Sequence, residues 1–127
     1  MSQVRGWDLL DVAGKGVDVE FMMDVVSGPG WRIEWIVSRG QQTEPGDWYD
    51  QDADEWALVV SGGARLQIHG EDTERELQPG QAVWLPARCR HRVTWTDPDQ
   101  ATVWCVMFAQ PGGSFAAVDP GGSGPVD

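Results

Sequence analysis

Between Trp31 and Phe108 the chain runs in short apolar–polar alternations, cut by Gly- or Pro-bearing turns roughly every six to twelve residues. No other feature constrains the fold as much. A period of two puts alternate side chains on opposite faces of an extended strand, and runs this short leave no room for the stripe of an amphipathic helix. Trp31 to Ser38 is the clearest run, with Trp31, Ile33, Trp35 and Val37 on one face and Arg32, Glu34 and Ser38 on the other. Further extended runs are read at the second half of 48–60, at 64–69, 75–77, 81–85, 90–95 and 101–108. The turns between them include Glu44-Pro45-Gly46-Asp47, Ser61-Gly62-Gly63, Pro79-Gly80 and Asp97-Pro98-Asp99. Val17 to Val26 is apolar enough for a strand or a short helical turn, and its periodicity does not choose. About seven or eight short strands with no βαβ alternation predict an all-β antiparallel sandwich or barrel. The chain divides into an N-terminal extension over 1–30, a barrel over 31–110 and a Gly/Pro-rich tail over 111–127 that reads as flexible.

Length and charge bound the function. One domain fits in 127 residues, and 41% apolar residues are enough for a core. With 20 Asp+Glu against 9 Lys+Arg the formal charge is −11, which opposes binding to nucleic acid or an anionic membrane surface. Two cysteines, no apolar leader and no long apolar run point to a cytoplasmic protein with free thiols. His69 and His91 are the whole histidine complement, so three histidines of one chain cannot share a metal.

Two segments carry groups capable of chemistry. In an extended chain Tyr49, Gln51, Ala53 and Glu55 share one face, and Asp50, Asp52 and Asp54 share the other. The first set offers a phenol, an amide and a carboxylate, oxygen donors suited to a divalent metal. The same residues also read as a solvated acidic loop. The second segment ends in Arg90 to Trp95, where His91 faces with Val93 and Trp95, and Arg90, Arg92 and Thr94 face oppositely. Such a histidine is either a core residue or a ligand. His69 falls on the other parity from Leu66 and Ile68 and reads as a surface residue. Cys89 precedes His91 with no second histidine nearby to activate it.

Together these segments resemble the two motifs of the cupin superfamily. Gly46 and Gly62 stand for the outer glycines of the first motif, and Glu55 matches its glutamate at the family spacing from Gly62. With a three-residue spacer the motif's two histidine positions fall on Tyr49 and Gln51; a four-residue spacer gives Trp48 and Asp50. Gly80, Pro86 and His91 match the second motif, with Arg88 in place of a glycine and Trp95 in place of an asparagine. The stretch from Trp48 to Trp95 is similar to a group of small bacterial single-domain cupins. The resemblance implies a double-stranded β-helix barrel and a divalent metal (Fe, Mn or Zn) held by Gln51, Glu55 and His91. Tyr49 or water would be a fourth ligand, or Tyr49 an acid/base group. A small organic molecule would bind in the barrel, for Lewis-acid or dioxygen chemistry. Oxygenases, isomerases, lyases and metal-free binding or sensing modules share this shell, so the reaction stays open.

Two packing expectations follow. The acidic run from Glu44 to Glu55 and the basic run Arg88, Arg90, Arg92 meet at the mouth of such a barrel, and the outward arginines are expected to pair with the outward aspartates. Trp56 and Leu58 point away from the Glu55 face and need a cover, from the N-terminal segment or from a second subunit of a homodimer. Trp31, Ile33 and Trp35 wall either the cavity or the dimer seam.

Overall fold

The structure, a computed structural model, describes residues 3–11, 19–112 and 117–118. The tail therefore lies largely outside the described residues. Eight strands follow in order: β1 Phe21–Gly28, β2 Trp31–Ser38, β3 Asp54–Ser61, β4 Ala64–Ile68, β5 Arg75–Leu77, β6 Ala82–Leu85, β7 His91–Thr96 and β8 Thr102–Ala109. No α-helix occurs among them, and no helix is long and apolar enough to cross a membrane. The chain is all-β. The ambiguous Val17 to Val26 run enters β1, because its backbone pairs antiparallel with β2 from Phe21↔Val37 to Gly28↔Trp31.

Every pairing is antiparallel. One sheet has the order β1-β2-β8-β3-β6 and the other β5-β4-β7. The alternation read from the sequence becomes register here. Glu55, Ala57 and Val59 of β3 stand opposite Phe108, Val106 and Trp104 of β8. Glu55 and Ala57 also stand opposite Leu85 and Val83 of β6. Directly opposed residues share a face, so these make the inner wall of the large sheet. Ala64, Leu66 and Ile68 of β4 complete the core with Leu77.

Gly62 makes the passage between the sheets, in the turn from β3 to β4, with φ +85°. A side chain there would be strained by its backbone and would run into the Ala101 carbonyl and Thr102. The fully buried Thr102 hydroxyl occupies that space, accepting from Gly63 N at 3.1 Å and donating to Gly63 O at 3.0 Å.

Two sequence expectations about faces are corrected. Trp95 does not share the His91 face. A register shift lies between Arg65 and Leu66: Leu66 stands opposite Val93, but Arg65 stands opposite Trp95. Thr94 is the extra residue of a β-bulge, which reverses the parity beyond it. Thr96 is turned inward, 2% exposed, and the Arg65 guanidinium lies over the outward Trp95 ring at 4.8 Å. The register turns Trp31, Ile33 and Trp35 away from the cavity. They oppose Ala109, Met107 and Cys105, on the face of the sheet turned away from the core. Trp7 of the N-terminal segment packs edge-on against Trp35, ring centroids 6.5 Å apart. Trp56 shares this outer face with Trp84 and Met107.

Candidate functional site

The inner wall turns polar at the end of the barrel where β3 and β7 begin. Glu55 is the second residue of β3, and His91 is the first of β7. A strap brings the remaining groups to them. Tyr49 N donates to His91 O at 2.8 Å, and His91 N donates to Tyr49 O at 3.1 Å, so one bridge ties residues 47–51 along β7. Arg88 N donates to Gln51 O, and Ala87 N donates to the Asp54 carboxylate at 2.7 Å. Arg88 adopts φ +66° to make that bend, at the position where the cupin pattern has glycine.

The result is a small cluster around one oxygen. His91 Nε2 lies 3.5 Å from Glu55 Oε1, with side chains 7% and 13% exposed. Gln51 Nε2 donates to the same Oε1 at 3.3 Å. His91 Nδ1 sits 2.9 Å from the Cys89 carbonyl. A carbonyl only accepts, so Nδ1 carries a proton and Nε2 is the atom presented to Glu55. Tyr49 stacks on the His91 ring, centroids 5.5 Å apart and planes 28° from parallel, and remains 41% exposed. Tyr49, Gln51, Glu55 and His91 are thus gathered at one place. Asp50 is not with them: it pairs with Arg88 at 3.1 Å. Residues 50–53 are not a continuous strand, yet Gln51 still reaches Glu55.

The electrostatics follow from this packing. Burial disfavours a charged His91, but hydrogen bonds to Glu55 and the Cys89 carbonyl, with the charge of Glu55, outweigh it and raise its pKa. The Tyr49 phenol is pushed up by burial and by Glu20, so it stays protonated at neutral pH. Burial also raises the Cys89 thiol, which argues against a thiolate nucleophile. His69 is exposed and touches the edge of Trp48. Among the described residues no group of three His, Cys, Asp or Glu gathers as a metal site. A metal here would draw on Glu55 and His91 with neutral oxygen donors such as the Gln51 amide or the Tyr49 phenol.

The expected pairing of arginines with aspartates holds for Arg88 alone. Arg90 and Arg92 lie over the Trp48 ring instead, at 5.4 and 5.7 Å. An open cleft of about 710 Å³ runs beside the strap, lined by Thr43, Glu44, Trp48, Tyr49, Asp50 and Arg90 among others.

Two inner residues were visible in the sequence but not assigned to the site. Arg32 stands opposite Phe108 and Glu34 opposite Val106, so both occupy the inner face of β2. Burial and a hydrogen bond with Asp24 raise the Glu34 pKa, against the pull of Arg32. The alternation of β2 was the available signal. It separated these residues from Trp31 and Trp35 without telling which set faced inward.

Comparison with known proteins agrees with this architecture. No curated protein matches the chain. A solved structure from Ralstonia eutropha JMP134, described as "a putative mannose-6-phosphate isomerase", is 37% identical with a TM-score of 0.81, covering 84% of this chain and 99% of that one. A conserved Streptococcus pyogenes protein of unknown function is 18% identical, TM-score 0.68, covering 89% and 93%. A cupin superfamily protein from Desulfitobacterium hafniense DCB-2 is 14% identical, TM-score 0.68, covering 87% and 94%. These last two share the fold alone. The Cupin domain family matches residues 34–108, a span that runs from β2 through both sheets and takes in Glu55 and His91. With that match over more than half its length, the chain belongs to the cupin family.

Proposed function

We propose that the chain is a metal-binding cupin that takes a small organic molecule at the Glu55–His91 end of its barrel. The carrying observation is the orientation of His91. Its Nδ1 is fixed on the Cys89 carbonyl, and its Nε2 faces Glu55 Oε1. Metal-ligating histidines are commonly held in this way, with the far nitrogen on a carbonyl or carboxylate. The residues fit a divalent ion as an oxygen-rich set with one imidazole: His91 Nε2, the Glu55 carboxylate and, after rotation of its amide, the Gln51 oxygen. When bound, such an ion supplies Lewis-acid polarisation of a substrate oxygen.

The chain's own groups have distinct parts. With a metal bound, Glu55 and His91 Nε2 would be its ligands, and the Tyr49 phenol is the group left to hold or move a proton. Tyr49, neutral and stacked on His91, closes the site on the strap side. Isomerisation, the reaction named for the Ralstonia protein, needs proton transfer on a polarised substrate, and the Tyr49 phenol beside the Glu55–His91 pair suits that part. Metal content of the purified protein tests the reading. Near-stoichiometric metal is expected, falling sharply in Glu55→Ala and His91→Ala. Less than about a tenth of an equivalent, with stability unchanged by chelator, would refute it.

A second reading has its own support. Gln51 and His91 already satisfy Glu55 Oε1, as a metal-free binding or sensing module would require. That reading predicts ligand binding that chelator leaves untouched. Either way we propose a cytoplasmic protein and a second copy of the chain as partner. The uncharged outer residues Trp31, Ile33, Trp35, Trp56 and Trp84 support the pairing, since two chains each at −11 repel elsewhere. Light scattering would give the mass.

A further inference from the structure

Arg32 is the one Lys or Arg in the five strands of the large sheet. The register puts it on the inner face, opposite Phe108, whose other neighbour across the sheet is Glu55. Its guanidinium lies over the Phe108 ring at 4.1 Å from the centroid. A cation seated over a buried ring is held in place, and its nitrogens can still donate to a ligand. Its charged neighbour Asp24 is 3.7 Å away, beyond hydrogen-bond distance. The two side chains are 44% and 63% exposed, and ion pairs of that kind contribute little and yield readily to a competitor. Among the described residues the Arg32 side chain makes no hydrogen bond. Glu34, the other acid beside it on β2, engages Asp24, and burial holds its carboxyl toward the neutral form.

We propose that Arg32 is the anion-recognition residue of the barrel, binding the carboxylate or phosphate of a small organic molecule whose other end lies against Glu55 and His91. This rests on the placing of the ligand site at that end of the barrel. Arg32 and Glu55 lie on β2 and β3, with β8 between them. Their backbones are therefore two strand spacings apart, about 10 Å. The Arg32 side chain, seated over Phe108 of the intervening β8, shortens that gap toward Glu55. A guanidinium matches either anion in bidentate geometry, so the same residue serves a carboxylate or a phosphate. Phe108 beneath it limits where the anionic end can sit and orients the rest of the molecule toward Glu55.

Calorimetric titration of the full chain tests this with three probes: malate, glycerol 3-phosphate and neutral glycerol. At least one anion is expected to bind, glycerol not, and the stronger anion identifies the group. Arg32→Met should weaken that binding tenfold or more. Arg65→Met, which removes the outward guanidinium over Trp95, should change it less than twofold. If Arg32→Met fails to fold, Asp24→Asn still decides, because losing the competing carboxylate should tighten anion binding severalfold. Equal binding by the Arg32 variant, a preference for glycerol, no anion binding by the native chain, or no gain from Asp24→Asn would each overturn the assignment. Metal content measured on the same samples keeps the two readings apart. Arg32→Met should leave it unchanged, whereas loss of metal in Glu55→Ala bears on the metal reading alone.

Discussion

Replacing Gly62 with alanine is expected to be among the most damaging single-methyl additions this chain can suffer. Two costs meet there. The backbone sits at φ +85°, where an L-residue pays about 1–2 kcal/mol. The new methyl would also approach the Ala101 carbonyl oxygen and the Thr102 Cα to 2.5 Å, both backbone atoms that cannot swing aside. Moving them disturbs the buried Thr102 hydroxyl, which exchanges two hydrogen bonds with Gly63. A buried polar group left unpaired costs about 1–3 kcal/mol. The combined loss is about 2–5 kcal/mol, a large share of the 5–15 kcal/mol typical of a domain. Gly80 provides the control. Its φ is +89°, but nothing lies within 4 Å of an added methyl, so Gly80→Ala should lose only the backbone cost of about 1–2 kcal/mol. Urea unfolding of the three proteins at one pH measures both differences. Equal losses for the two variants would refute the steric argument, since the backbone cost is common to both. The turn also carries the chain from the sheet bearing Glu55 to the sheet bearing His91, so Gly62→Ala should disturb the site as well.

Three smaller perturbations follow from the same geometry. Glu34→Gln keeps a group able to donate to Asp24 while removing a carboxyl whose folded pKa is raised. Such an acid destabilises the native state as pH rises from the unfolded value through the folded one. The variant should therefore equal the native protein below the ordinary carboxylate range and exceed it at neutral pH; a reversed order in pH-dependent melting would contradict the shift. Arg88→Gly relieves a left-handed residue and loses only an ion pair on a side chain 67% exposed. It should stabilise by up to about 1 kcal/mol, and a loss of that size in denaturant unfolding would be inconsistent. A double-mutant cycle between Arg90→Ala and Trp48→Ala should give a coupling of about 0.5–1 kcal/mol, whereas Arg90→Ala with Asp50→Ala should give none. Coupling to Asp50 would restore the charge-pairing account.

What the amino-acid sequence determined was local. Alternation set out the strands from β2 to β8 because period two is a property of each strand alone, and β2 and β5 fell on the expected residues. Glu55, His91 and Gln51 were legible because a motif fixes spacing along the chain. Alternation before Glu55 also brought Tyr49 to the same place, although no continuous strand runs there.

Only the tertiary structure decided which way faces point. The two faces of β2 are both partly apolar. The one carrying Arg32 and Glu34 became the inner face because β8 presents Phe108 and Val106 to it. The bulge at Thr94 depends on how many residues β4 offers opposite β7, a count that β7 does not contain, and it turned Trp95 from the His91 face to the outside. Arg90 and Arg92 settled on Trp48 because the strap returns along β7 and lays an indole where a carboxylate was expected. Pairing partners come from distant parts of the chain, and a single strand's pattern carries no record of them.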